Sequence, residues 1–259
     1  MPASRPLRGS RRGCISIPMR GKCFYESWRV EKPMGIYCQQ EMKRGDTMAR
    51  TNNYLLQAAQ AKSYFLTYDQ DALIRKLHLD ADDSFLYPVL FSRRYRLSRK
   101  TGDLEREKDG TWEDANTHEE VMTLLDLICD SREDRFISGR WKNMADFGHA
   151  FHQNLLEERD PYAESFQAKP EGFRAACEAL GGVPMPTGDI AYTIEVFDGL
   201  PLAVQLWLGD EEFPARLRYL WDENALMYLK YETMYFARGL LLERLKNEME
   251  VSNGTGTKE

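Results

Sequence analysis

Ile190-Ala191-Tyr192-Thr193-Ile194-Glu195-Val196-Phe197-Asp198-Gly199-Leu200-Pro201-Leu202-Ala203-Val204-Gln205-Leu206-Trp207 is the stretch that decides the fold. Ile190, Tyr192, Ile194 and Val196 recur at every second position, the period of a strand with one buried face. Asp198-Gly199 then supplies the two left-handed residues that a tight hairpin turn requires. Beyond it Leu202, Val204, Leu206 and Leu208 alternate again, with Trp207 on the other face. Strands joined by a two-residue turn are antiparallel. Leu217, Tyr219 and Trp221 extend the pattern to a third strand. Asp222 is expected to cap a helical region over residues 225–249, with a polar, disordered tail over residues 251–259.

Working outward, Tyr54, Leu55, Ala58, Ala61 and Phe65 fall at helical spacing, and Asp69 can cap a short second helix through Leu73, Ile74 and Leu77. Residues 85–97 read as one strand, with Pro88 suggesting an edge. Asp109-Gly110 marks another hairpin turn. Thr117-His118-Glu119-Glu120 has the form of a capping box, in which Glu120 reaches back to the start of its helix. Residues 144–156 form an expected amphipathic helix, and Pro170 opens another that Gly181-Gly182 closes. Hairpins interspersed with helices predict a single α+β domain over residues 48–250, with antiparallel β-hairpins packed against several α-helices.

Across 259 residues the net charge is −6. Residues 1–47 hold ten Lys/Arg against four Asp/Glu, a net of +6, while residues 48–259 hold 25 against 37, a net of −12. No apolar core follows the early arginines, so a secretory signal is not expected. Lys43-Arg44-Gly45-Asp46 can be encoded by AAA-AGA-GGT-GAT, a purine-rich string of the kind that docks bacterial ribosomes. It ends one codon before Met48. Residues 1–47 are therefore expected to be upstream leader translated by a misplaced start. An acidic remainder argues against nucleic-acid binding, and the chain offers no membrane-spanning stretch.

Gly181-Gly182, Gly188-Asp189-Ile190-Ala191, Leu200-Pro201-Leu202, Leu206-Trp207-Leu208-Gly209-Asp210-Glu211-Glu212-Phe213-Pro214-Ala215, Tyr219-Leu220-Trp221-Asp222 and Tyr228-Leu229-Lys230-Tyr231-Glu232 form a signature. Over residues 181–232 it resembles the bacterial and archaeal family catalogued as domain of unknown function 3786. The resemblance implies a prokaryotic cytoplasmic protein with no assigned activity. Some members carry a cysteine-rich iron–sulfur segment associated with corrinoid and one-carbon enzymes. Cys14, Cys23 and Cys38 lack the tight spacing of such a site, so a cluster is not expected here.

Carboxylates gather at the hairpin ends: Asp189, Asp198, Asp210, Glu211, Glu212, Asp222 and Glu223. Such a group can hold a hard cation or work as an acid–base pair; turn and cap roles are the competing reading. Trp207 can line a pocket with Tyr192 or Trp221. His149 and His152, three apart on an expected helix, are the nearest approach to a metal site, and no motif indicates a cofactor. Cys129 and Cys177 read as reduced, buried small apolar residues. Phosphate-loop, dinucleotide-binding, zinc-protease and serine-hydrolase motifs are absent. The leading expectation is a non-catalytic accessory protein binding a small molecule or a protein partner at the hairpin end, through Asp189, Trp207, Asp210, Glu211, Glu212 and Asp222. The alternative is an enzyme using Asp189 and Asp210, perhaps with a metal and a link to corrinoid or one-carbon chemistry. Oligomeric state is left open.

Overall fold

Asp-Gly pairs turn the chain where their residue types demand it. Asp109-Gly110 and Asp198-Gly199 both adopt positive φ, at 51° and 76° and at 49° and 78°. Left-handed backbone at two successive residues matches the twist of the flanking strands. A computed structural model describes residues 44–147, 160 and 162–254. His149, His152, Cys14, Cys23, Cys38 and most of the helix expected over residues 144–156 lie outside the described residues; Met144–Phe147 is a 3₁₀ turn.

Two antiparallel sheets and six α-helices make up the described residues, an α+β fold. The first sheet is built from β1 (Asp80–Ala81), β2 (Phe85–Tyr87), β3 (Val89–Leu90), β4 (Arg93–Ser98), β5 (Leu104–Lys108) and β6 (Thr111–Asp114). Its order is β1-β2-β4-β5-β6, with β3 also paired to β4. Helices α1 (Arg44–Phe65) and α2 (Gln70–Leu77) precede it, and α3 (His118–Asp130) follows. The second sheet runs β7-β11-β10-β9-β8, from β7 (Trp141–Lys142), β8 (Val183–Pro184), β9 (Ile190–Phe197), β10 (Leu200–Trp207) and β11 (Arg216–Asp222). Helices α4 (Tyr162–Gln167) and α5 (Pro170–Ala179) lie between β7 and β8. The last helix, α6, spans Tyr231–Gly254, so it continues four residues past Glu250, the expected end of the domain.

The strand expected over residues 85–97 is a hairpin. Its chain reverses at Phe91-Ser92, both at positive φ (49° and 60°), so β2 and β3 fold back on β4. No glycine or asparagine announces this turn. It is held from outside: the Phe91 amide donates to Val196 O (3.0 Å), the Ser92 hydroxyl donates to Leu180 O (2.9 Å), and the Phe91 ring is fully buried. The turn thereby ties the first sheet to the second.

Register fixes which side chains share a face, because successive residues point to opposite sides. Val204 pairs with Tyr192 and Tyr219, Leu202 with Ile194 and Trp221, and Leu206 with Ile190 and Leu217. That row enters the core, with Leu202, Val204 and Leu206 fully buried. Pro201 cannot donate to a ladder, and it stands at a register shift between Leu200 and Pro201, where such a residue is tolerated. On the first sheet, Leu86, Tyr95, Leu97 and Leu104 are buried. The opposite face stacks Arg96 between Phe85 and Trp112 (4.8 and 4.7 Å) and holds it by two bonds to Glu105.

Helix α6 begins on a cap borrowed from α3, as the Asp126 carboxylate accepts from the Lys230 amide (2.7 Å) and its ammonium (2.5 Å). Asp222 does not cap the following helix as expected. Its buried carboxylate accepts from the amides of Ser138, Gly139 (2.8 Å) and Asn224 (2.9 Å), pinning the loop before β7 to the end of β11. Glu120 does reach back to the start of its helix, but to a hydroxyl: its amide donates to Thr117 Oγ1 (3.3 Å) and its carboxylate accepts from the Thr117 hydroxyl (2.9 Å), and the same carboxylate also accepts from Tyr95 and Arg106.

Candidate functional site

The tip of the β10–β11 hairpin is set by one glycine and one aspartate. A Cβ on Gly209 would stand 2.5 Å from Ala215 N and 2.8 Å from Phe213 O, so only glycine permits the loop to close. Asp210 Oδ1 accepts from the amides of Glu212 and Phe213, both at 2.8 Å, while the Asp210 amide donates to Phe213 O. Those two amides hold the Asp210 carboxyl below the usual carboxylate range. Asp189 Oδ2 accepts from the Leu208 amide (2.8 Å), and the Gly209 amide donates to Gln167 Oε1 at the end of α4. The tip is thus braced from three directions.

Its surface mixes large apolar side chains with carboxylates. Trp207 is 37% exposed, Leu208 43% and Phe213 65%, and exposed Glu211 and Glu212 lie between them in the loop. Arg216 faces Trp207 across the strand pair. The structure therefore gathers Asp189, Trp207, Asp210, Glu211 and Glu212 at one end of the sheet. Asp222 is not among them. It sits at the opposite end with Asp198, six residues along β11 from Arg216, roughly 20 Å away at about 3.3 Å per residue. Trp207 also shares no pocket with Tyr192 or Trp221, which point to the other face and are buried.

A second constellation was not singled out from the sequence. Arg93 and Arg106 project from the helix-facing side of the first sheet, Glu120 from the first turn of α3, and Arg244 from α6. They line a cavity of about 110 Å³ whose rim carries Asp114 and Glu243. Arg244 and Glu120 are almost wholly buried. Arg244 occupies the apolar side of its helix with Leu240, Leu241 and Leu245. A charged residue inside an apolar stripe was the available signal. Burial lowers the Arg244 guanidinium to about 10 and pushes the Tyr95 hydroxyl up to about 12.

Cys129 and Cys177 are free and buried, and burial raises both thiols well above their ordinary value. Among the described residues no three His, Cys, Asp or Glu side chains are grouped to hold a metal, and no helix is long and apolar enough to cross a membrane.

The family model described as Domain of unknown function (DUF3786) matches residues 69–244. The chain belongs to this family. The match takes in both sheets and the β10–β11 tip, so the family extends well beyond the tip signature, while α1 and the last ten residues of α6 lie outside it. No curated protein and no solved structure matches the chain.

Proposed function

We propose that this DUF3786 protein acts by binding, without catalysis of its own, and that the β10–β11 tip is its recognition surface for a protein partner in the prokaryotic cytoplasm. The observation that carries this reading is the pairing of exposed Trp207, Leu208 and Phe213 with a loop braced against movement. Three large apolar side chains exposed within one seven-residue segment, Trp207–Phe213, favour an interaction site, and rigid aromatics bind at low entropic cost. The partner presents an apolar recess rimmed by Lys or Arg, complementary to Glu211 and Glu212. Asp189 and Asp210, the carboxylates an enzyme would use, already accept from backbone amides, which favours a structural role for both.

Photo-crosslinking tests the proposal. A benzophenone side chain at Phe213 is expected to give one dominant protein adduct in cells of the native organism, and the same group at exposed Val89 is not. Identical adducts from both positions, or none from Phe213, would contradict it.

A further inference from the structure

Cations cover many of the aromatic rings of this protein. Arg94 lies over Tyr87 (4.7 Å), Arg96 over Phe85 and Trp112 (4.8 and 4.7 Å), Arg135 over Tyr228 (6.0 Å), and Arg238 over Tyr219 and Tyr235 (5.1 and 5.7 Å). At the β10–β11 tip that pattern stops. The exposed rings of Trp207 and Phe213 carry no cation and no second ring among the described residues. Arg216 stands directly opposite Trp207 in the strand pair, yet its guanidinium does not lie over the indole. An open indole face is negative and attracts cations more strongly than a Tyr or Phe ring does.

Charge at the tip is in excess with the matching sign. Asp189, Asp210, Glu211 and Glu212 are all exposed, against Arg216 and Arg218 on β11. Arg218 donates to Asn143 Oδ1 (3.2 Å), and Arg174 of α5 pairs with Glu171 (3.6 Å). None of the four tip carboxylates forms an ion pair among the described residues. Asp189 and Asp210 each accept from backbone amides, whereas the Glu211 and Glu212 carboxylates accept from no described residue and stand open to solvent. An open aromatic face beside open carboxylates has one natural complement, a flat cation with in-plane donors. We propose that the partner's anchor on this surface is an arginine side chain, its guanidinium stacked on Trp207 and its N–H edge bonded to Glu211 or Glu212. The inference rests on the reading of the tip as a protein-binding surface and names the chemistry that surface selects. A guanidinium is planar and weakly hydrated, so one group can lie on a ring and still offer its fork to a carboxylate. A lysine ammonium is a compact, strongly hydrated point charge that has no fork to offer.

The test selects random peptides displayed on phage against the full chain and rechecks each binder on Trp207→Ala, a change at an exposed side chain. Peptides that need Trp207 should share an arginine. Replacing that arginine by citrulline, which keeps the shape and removes the charge, should weaken binding by about tenfold or more by calorimetry. Lysine in its place should recover only part of the loss. In a chain carrying Glu211→Gln and Glu212→Gln the citrulline penalty should shrink to about threefold or less, because the two groups act on each other. Trp207-dependent peptides without arginine, or a citrulline penalty unchanged in the double variant, would overturn the inference and leave the tip a binding surface of another specificity. Failure to recover any Trp207-dependent peptide would overturn both the inference and the reading beneath it.

Discussion

Asp210 shows how one side chain can be mistaken for chemistry. Its exposed carboxylate lies in an acidic run beside a tryptophan, the composition of a ligand site, yet its oxygen closes the turn by accepting from two amides. Because those bonds favour the ionised form, its carboxyl titrates lower in the folded chain than in the unfolded one. The stability it contributes is therefore present above the unfolded pKa of about 3.9 and is lost as pH falls through the lower folded value. Asp210→Ala should melt earlier than the parent at pH 7, and the gap should close below about pH 4. Thermal melts across that range check it; a gap independent of pH would assign the loss to something other than the carboxylate. The turn role of Asp210 was legible, since aspartate before a reversal commonly bonds the amides ahead of it. Asp222 was less so: nothing near it in sequence announces Ser138 and Gly139, which reach it across the fold.

Turns separate what an element declares from what its surroundings impose. Asp109-Gly110 and Asp198-Gly199 could be read directly, because both residue types accept left-handed backbone. Phe91-Ser92 makes the same kind of reversal with residues that resist it, at about 1–2 kcal/mol each. Burial of the phenyl ring outweighs that cost: a core Phe truncation loses about 3–5 kcal/mol. Phe91→Gly relieves the strain yet should destabilise by a net of about 2–3 kcal/mol, measured by urea denaturation. A stabilised variant would mean that local backbone preference, not packing against the second sheet, governs this hairpin. Reading residues 85–97 as one strand failed for this reason, since the apolar run was right and the reversal within it depends on Val196 and Leu180.

At the scale of the molecule, α6 is the member shared by both halves. Arg238 stacks on Tyr219 of the second sheet (5.1 Å), while Arg244 reaches Leu90 and Tyr95 of the first. Leu241 lies between them, fully buried. Leu241→Ala should cost about 2–5 kcal/mol and lower both sheets together, giving coincident transitions by far-ultraviolet dichroism and tryptophan fluorescence. Two separated transitions would show that the sheets fold independently. The charged cavity belongs to this scale as well. Its four inner residues come from two strands and two helices, so no local spacing in the sequence could have joined them. The β10–β11 tip, by contrast, is one continuous segment, which is why its composition could be read in advance and Asp222 wrongly grouped with it.

The proposal that the tip is a protein-binding surface is tested most directly by affinity. The partner captured from Phe213 should be purified and its dissociation constant measured against the parent chain and Trp207→Ala. An anchor of this kind contributes about 2 kcal/mol or more, so binding should weaken by roughly thirtyfold with the fold and melting temperature retained. An unchanged dissociation constant in a folded Trp207→Ala chain would contradict the account.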